Sequence, residues 1–261
     1  MMWDTHAHLD DEQFDQDRDA VIQRALGAGI TTLINVGCSA ESSEESVKLA
    51  GRYPFVYAAV GIHPHEAKTC TQETWDRLAT LARDPKVVAW GEIGLDYYRD
   101  ISPREDQKRI FIQQLKLAND ADLPVIIHNR DAHGDILQII KEFTPKAGCV
   151  FHTYSGSWEM AKVLLDMDFY LSFSGPITFK NARHGPEVIA KMPVDRLLAE
   201  TDCPYLTPEP FRGKRNEPAH VSRVIAKIAD IRGLDYEETV RICSENASRF
   251  FKLRDVKLRD L

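Results

Sequence analysis

Leu123-Pro124-Val125-Ile126-Ile127-His128 is a short apolar run closed by an imidazole. Its three successive branched residues, with no polar residue between them, read as a strand covered on both faces, the habit of parallel sheets. Just downstream, Ile136, Ile139, Ile140 and Phe143 fall at i, i+3, i+4 and i+7, which builds one apolar face of a helix. The same alternation runs outward in both directions. Candidate strands are Trp3–His6, Thr31–Val36, Phe55–Val60, Val87–Trp90, Pro124–His128, Cys149–His152, Phe169–Phe173 and Leu197–Glu200. Phe111, Leu115 and Ala118 mark a second helical stripe, and Val221, Val224, Ile225, Ile228 and Ala229 a third. Eight such runs alternating with helices predict an α/β fold of the (β/α)8 TIM-type barrel class, with a doubly wound open sheet as the alternative. Metal-type residues favour the barrel. They close runs one, four, five, six and eight, and a barrel brings those ends to one rim, whereas an open sheet spreads them along an edge.

A length of 261 residues suits one barrel or two smaller domains; with no internal repeat or long linker, a single domain over 1–261 is expected. A net charge of −7 gives no hint of the basic face usual in duplex-binding proteins, although bound cations supply positive charge locally. Five cysteines with no CxxC pair read as reduced thiols of a cytoplasmic protein. No signal-like segment opens the chain and the apolar runs are strand-sized, so no membrane span is expected. Thr201–Pro218 reads as an extended loop, the tail Asp255–Leu261 as frayed, and monomer is the default state.

The strongest local signal is Asp4-Thr5-His6-Ala7-His8-Leu9-Asp10. Side chains alternate along a strand, so His6 and His8 point to the same side and start a metal site. Taken alone, an HxH pair is better explained by chance. His128 and His152 close two further strands, which makes chance a poorer explanation. Glu92 and Asp202 follow apolar strands, where a carboxylate has little structural use unless it meets a cation; helix capping is the competing reading for Asp202. Together the six residues suit two cations: His6, His8 and Asp202 at one, His128 and His152 at the other, with Glu92 shared between them. Two cations lower the pKa of a water and neutralise charge on a phosphoryl group, and Asp202 is placed to orient that water and take its proton. His63, in Gly61-Ile62-His63-Pro64-His65, is read as facing substrate or leaving group, and His65 as merely exposed. Arg130, Lys214 and Arg215 are candidate contacts to the substrate backbone. For the last two a solvated basic loop is an equal alternative.

With these residues in hand, the chain resembles the TatD-type metal-dependent deoxyribonucleases within the amidohydrolase-like barrels. The matching motifs are DTHAHLD at 4–10, GIHPH at 61–65, GEIGLDYY at 91–98, LPVIIHNRDA at 123–132, ETDCPYLTP at 200–208, GKRNEP at 213–218, and Asn246 to Phe251. The resemblance implies a TIM-type barrel that hydrolyses DNA phosphodiesters, similar to 3′–5′ exonucleases acting on single-stranded DNA. It carries the metal ligands onto His6, His8, Glu92, His128, His152 and Asp202, and a further active-site histidine onto His63. It implies two divalent ions, usually Mg²⁺, while the mixed donors also suit Zn²⁺, Mn²⁺ or Fe²⁺. Where many members read HCFSG, this chain has His152-Thr153-Tyr154-Ser155-Gly156, a change beside a retained ligand. The competing enzyme reading is hydrolysis of a small amide, ester or lactone. Such barrels often bridge their metals with a modified lysine at the end of strand four, where this chain has Glu92. A non-enzymatic scaffold that merely keeps a metal site is the third reading, and the intact ligand set argues against it.

Overall fold

The computed structural model describes residues 2–253, so the tail Asp255–Leu261 lies outside the described residues. Strands and helices alternate as β1 (Met2–Ala7), α1 (Arg18–Gly27), β2 (Ile30–Val36), α2 (Ala40–Arg52), β3 (Val56–Val60), α3 (Gln72–Leu81), β4 (Val87–Asp96), α4 (Arg104–Asp120), β5 (Val125–Arg130), α5 (His133–Glu142), β6 (Cys149–Phe151), α6 (Trp158–Asp166), β7 (Tyr170–Phe173), α7 (His184–Lys191), β8 (Leu197–Ala199), α8 (Val221–Arg232) and α9 (Tyr236–Phe250). The strands follow one another in chain order, β1 to β8, each succeeded by a helix: the (β/α)8 order of a TIM-type barrel. The chain divides into two compact units, one of Met1–Asn35 with Thr153–Leu261 and one of Val36–His152.

In the first unit β1 and β2 run parallel, as do β7 and β8. Every residue of β1, β2, β7 and β8 is buried, which is why apolar residues fall on both faces and do not alternate with exposed polar ones; Asp4, His6 and Asn35 are buried polar residues among them. Asp4 stitches β1 to the segment beyond β8. It accepts from the Thr201 backbone N–H at 2.9 Å and from the Thr201 hydroxyl at 2.6 Å. Burial pushes its carboxyl up to about 8, against the pull of those bonds. The Thr5 hydroxyl donates to the Ala199 carbonyl at 3.1 Å. Two more bonds continue the seam: Asp202 N–H to the His6 carbonyl at 2.9 Å, and His8 N–H to the Cys203 carbonyl at 2.8 Å. Val221, Val224, Ile225, Ile228 and Ala229 form the buried face of α8, and Gly233 closes that helix in the left-handed conformation.

In the second unit β3, β4, β5 and β6 are parallel neighbours. The buried faces of α4 and α5 include Phe111, Leu115, Ala118 and Ile136, Ile139, Ile140, the stripes read from periodicity. β4 is longer than expected, running on from Trp90 to Asp96. The extension pairs with β5, with Ile93 opposite Ile127, Gly94 opposite His128, and Asp96 opposite Arg130. Gly94 makes this possible. Its φ is +145°, and a Cβ there would be driven into the His128 carbonyl oxygen. Because strand side chains alternate, Glu92 and Asp96 then lie on one face, with Gly94 between them.

Candidate metal centre

Each unit assembles its own set of donors. In the first, the seam between β1 and the post-β8 loop sets His6 and His8 beside Asp202. The two Nε2 atoms are 3.1 Å apart, and the Asp202 Oδ1 lies 3.8 Å from His6 and 3.4 Å from His8. All three residues are buried. Nitrogens bound to one ion at 2.0–2.1 Å stand roughly 3 Å apart, so this pair has the spacing that a divalent cation needs. Asp202 has a φ of +56°, a left-handed conformation that Asp and Asn tolerate best. It stands where the chain leaves β8, and the next helical segment among the described residues begins only at Pro218, so Asp202 caps no helix and that competing reading is overturned.

In the second unit, Glu92 projects from β4 and is 3% exposed. Its Oε1 lies 2.7 Å from His128 Nδ1, 2.6 Å from His152 Nε2 and 3.7 Å from His63 Nε2. Donor atoms of His63, Glu92 and His128 all fall within 4.8 Å of one another. Burial alone would push the Glu92 carboxyl up; the charge of His152 and the hydrogen bonds from His128 and His152 outweigh it and hold it well below the usual carboxylate range. The carboxylate is therefore charged. A buried anion ringed by imidazole nitrogens is the donor chemistry a cation fits, and charge without such company would be costly.

The rings are held from behind. His63 Nδ1 accepts from the His65 N–H at 3.2 Å, so the neutral ring carries its proton on Nε2, the end facing Glu92. Burial keeps it neutral, pushing His63 well below the ordinary imidazole range against the pull of Glu92. His128 Nε2–H donates to Asp96 Oδ2 at 3.2 Å, which in the neutral ring leaves the Nδ1 lone pair free to ligate a metal. Burial would lower His128, but the bonds to Asp96 and Glu92 raise it above the ordinary value. Asp96 is itself gripped by His65 Nε2 at 2.9 Å and by the Tyr98 and Arg99 N–H groups at 3.0 and 2.8 Å. Gln107 fixes the backbone on both sides of it.

Thus His6, His8 and Asp202 come together in one unit, and His63, Glu92, His128 and His152 in the other. His65, read as merely exposed, is instead tied to Asp96. Asp96 had no assigned role, although the period-two face shared with Glu92 was a signal for it. Cys38 also escaped notice; its Sγ lies 3.9 Å from Glu92 Oε2. Arg130 ends β5 and stacks over Tyr98 with its guanidinium 4.0 Å from the ring centre. Lys214 is exposed. Arg215 is engaged structurally: its guanidinium makes two bonds of 2.8 Å to Asp17, covers the Phe14 ring, and holds the Asp17 carboxyl down to about 2.

The sequence matches the TatD related DNase family over residues 3–252. The chain belongs to the TatD family. Among its TatD relatives, YabD of Bacillus subtilis, an uncharacterized metal-dependent hydrolase, is 46% identical over 97% of this chain and 100% of its own. A 3′–5′ ssDNA/RNA exonuclease TatD of Citrobacter koseri is 36% identical over 96% of this chain and 98% of its own. Among solved structures, YJJV, a TatD homologue of Escherichia coli, superimposes with a TM-score of 0.92 at 34% identity, covering 97% of this chain and 98% of that one. This TatD protein is a metal-dependent hydrolase of the nuclease class, acting on ester bonds. Among the described residues, no helix is long and apolar enough to cross a membrane.

Proposed function

We propose that this TatD protein is a 3′–5′ exonuclease on single-stranded nucleic acid, DNA first, working as one hydrolase over 1–261 with two divalent ions. In this reading His6, His8 and Asp202 hold one ion, His128 and His152 hold the second, and Glu92 serves both. The observation that supports it most is the buried, charged Glu92 carboxylate with imidazole nitrogens at 2.6 and 2.7 Å. When bound, the ions supply activation of water and neutralisation of phosphoryl charge; Mg²⁺ suits the phosphoryl chemistry, and Zn²⁺, Mn²⁺ or Fe²⁺ suit the donors. Asp202 Oδ1 orients the attacking water and takes its proton. His63, with its proton on Nε2, donates to the phosphoryl or leaving oxygen. Arg130 and Lys214 meet backbone phosphates, and Arg215 adds positive charge from its anchored position. The protein is taken as a cytoplasmic monomer, in keeping with its five free cysteines.

Incubation with 3′- and 5′-labelled single strands in Mg²⁺, Mn²⁺ and Zn²⁺ tests this. Stepwise release of mononucleotides from the 3′ end is expected. No release with any of the three metals would overturn it.

Asp96 supplies a further expectation. A carboxylate behind a ligating histidine fixes its tautomer and aim, and losing it typically costs about 10- to 100-fold in metal affinity. Asp96→Asn should weaken Mn²⁺ binding by that factor in calorimetry, while circular dichroism stays unchanged. Unaltered affinity would show that His128 is oriented by other means.

A further inference from the structure

β4 ends at Asp96, and the two residues after it are tyrosines used in opposite ways. Tyr97 is turned onto the protein: its hydroxyl donates to Asp135 at 2.6 Å and Arg104 covers its ring at 4.2 Å. Tyr98 is 61% exposed. Its backbone N–H is pinned by Asp96 Oδ1, the same carboxylate whose other oxygen meets His128. The ring is thus carried at a fixed place beside the second donor set rather than on a free loop. One face of it is backed by the Arg130 guanidinium at 4.0 Å, and Arg130 lies two residues past His128 on β5. Among the described residues no carboxylate pairs with that guanidinium. Asp100, the acidic neighbour on the Tyr98 side, is taken by Arg104 at 3.3 Å. An exposed tyrosine alone is ordinary surface. An exposed ring backed by an uncommitted arginine, and tied through one carboxylate to a metal-donor histidine, has the composition of a single-strand subsite: an aromatic plane for a base and a cation for the adjoining phosphate.

We propose that Tyr98 and Arg130 form a base-stacking subsite, in which the open face of Tyr98 takes an unpaired nucleobase of the substrate while Arg130 meets the neighbouring phosphate. This rests on the nuclease reading above and adds a reason for single-strand selection, since bases in a duplex are already stacked on one another.

The probes are non-cleavable phosphorothioate oligothymidylate and an abasic strand of the same length, both fluorescently labelled and followed by anisotropy with Mg²⁺ present. Stacking is worth about 1–3 kcal/mol per base, which corresponds to roughly a 5- to 150-fold change in Kd. Tyr98→Ala should weaken the base-bearing strand by that factor and the abasic strand by less than about twofold. Tyr98→Phe, which keeps the ring, should bind as the parent does. Equal weakening of both strands, or of neither, overturns the subsite. A parent protein that degrades single strands yet binds the two probes equally well overturns the subsite alone. A parent that degrades no strand removes the nuclease reading beneath it.

Discussion

Glu92→Gln should lower kcat on single-stranded DNA by about 10³-fold, the middle of the range that a positioned acid–base group contributes. The substitution keeps the shape of the side chain and removes its charge. In the folded protein that charge is what His128 and His152 face at 2.7 and 2.6 Å, in a setting 3% exposed to water. An amide puts a neutral carbonyl oxygen where the anionic Oε1 meets both rings, and an NH2 group in place of Oε2, so it can neither balance a cation's charge nor offer it a second oxygen. Bound metal should fall in the same preparation. The melting temperature should move by no more than about 5 °C, because the carboxylate's own burial cost disappears with it. Stopped-time nuclease assays and calorimetric melting check both halves. Undiminished turnover would remove Glu92 from the chemistry.

Asp202→Asn should cost about 10²- to 10³-fold in kcat, and only part of that should return at saturating metal. Asparagine is the informative replacement because the position has a φ of +56°, which asparagine accepts nearly as well as aspartate. Alanine would add backbone strain and blur the result. The carboxylate oxygen lies 3.4 Å from His8 and 3.8 Å from His6, close enough to share a cation with them. If it were a ligand only, raising Mn²⁺ would restore the rate fully. A residual loss at saturation marks the proton-accepting role; an unchanged rate at every metal concentration would exclude both.

Much of this was readable along the chain, for a physical reason. Parallel strands are buried on both faces, so β1, β2, β3, β5, β6, β7 and β8 appear as runs that lean apolar and whose expected ends fall within two residues of the observed bounds. His6, His8, His128 and His152 stood out because imidazoles at the ends of such runs break their character. β4 was cut short because Gly91, Glu92 and Gly94 look like the end of a strand. Its extension comes from pairing with Asn129 and Arg130 of β5, which a local pattern does not show. Asp96 was hidden with it, and His65 with Asp96, since their bond joins residues 31 apart in sequence. Arg215 illustrates the limit more sharply. Its partner Asp17 lies 198 residues away, so nothing in the basic loop distinguished a structural arginine from a phosphate contact. Tyr98 and Tyr97 are identical neighbours in sequence, and only the hydrogen bond from Tyr97 to Asp135 shows which ring is left open.

In the proposed arrangement, four histidines and two carboxylates hold a pair of divalent ions. Anomalous diffraction from a crystal soaked in Mn²⁺, collected near the manganese edge, tests it directly. Two peaks are expected, one within bonding distance of His6, His8 and Asp202 and one within bonding distance of His128 and His152, with Glu92 touching both. A single peak, or peaks that avoid these residues, would contradict it.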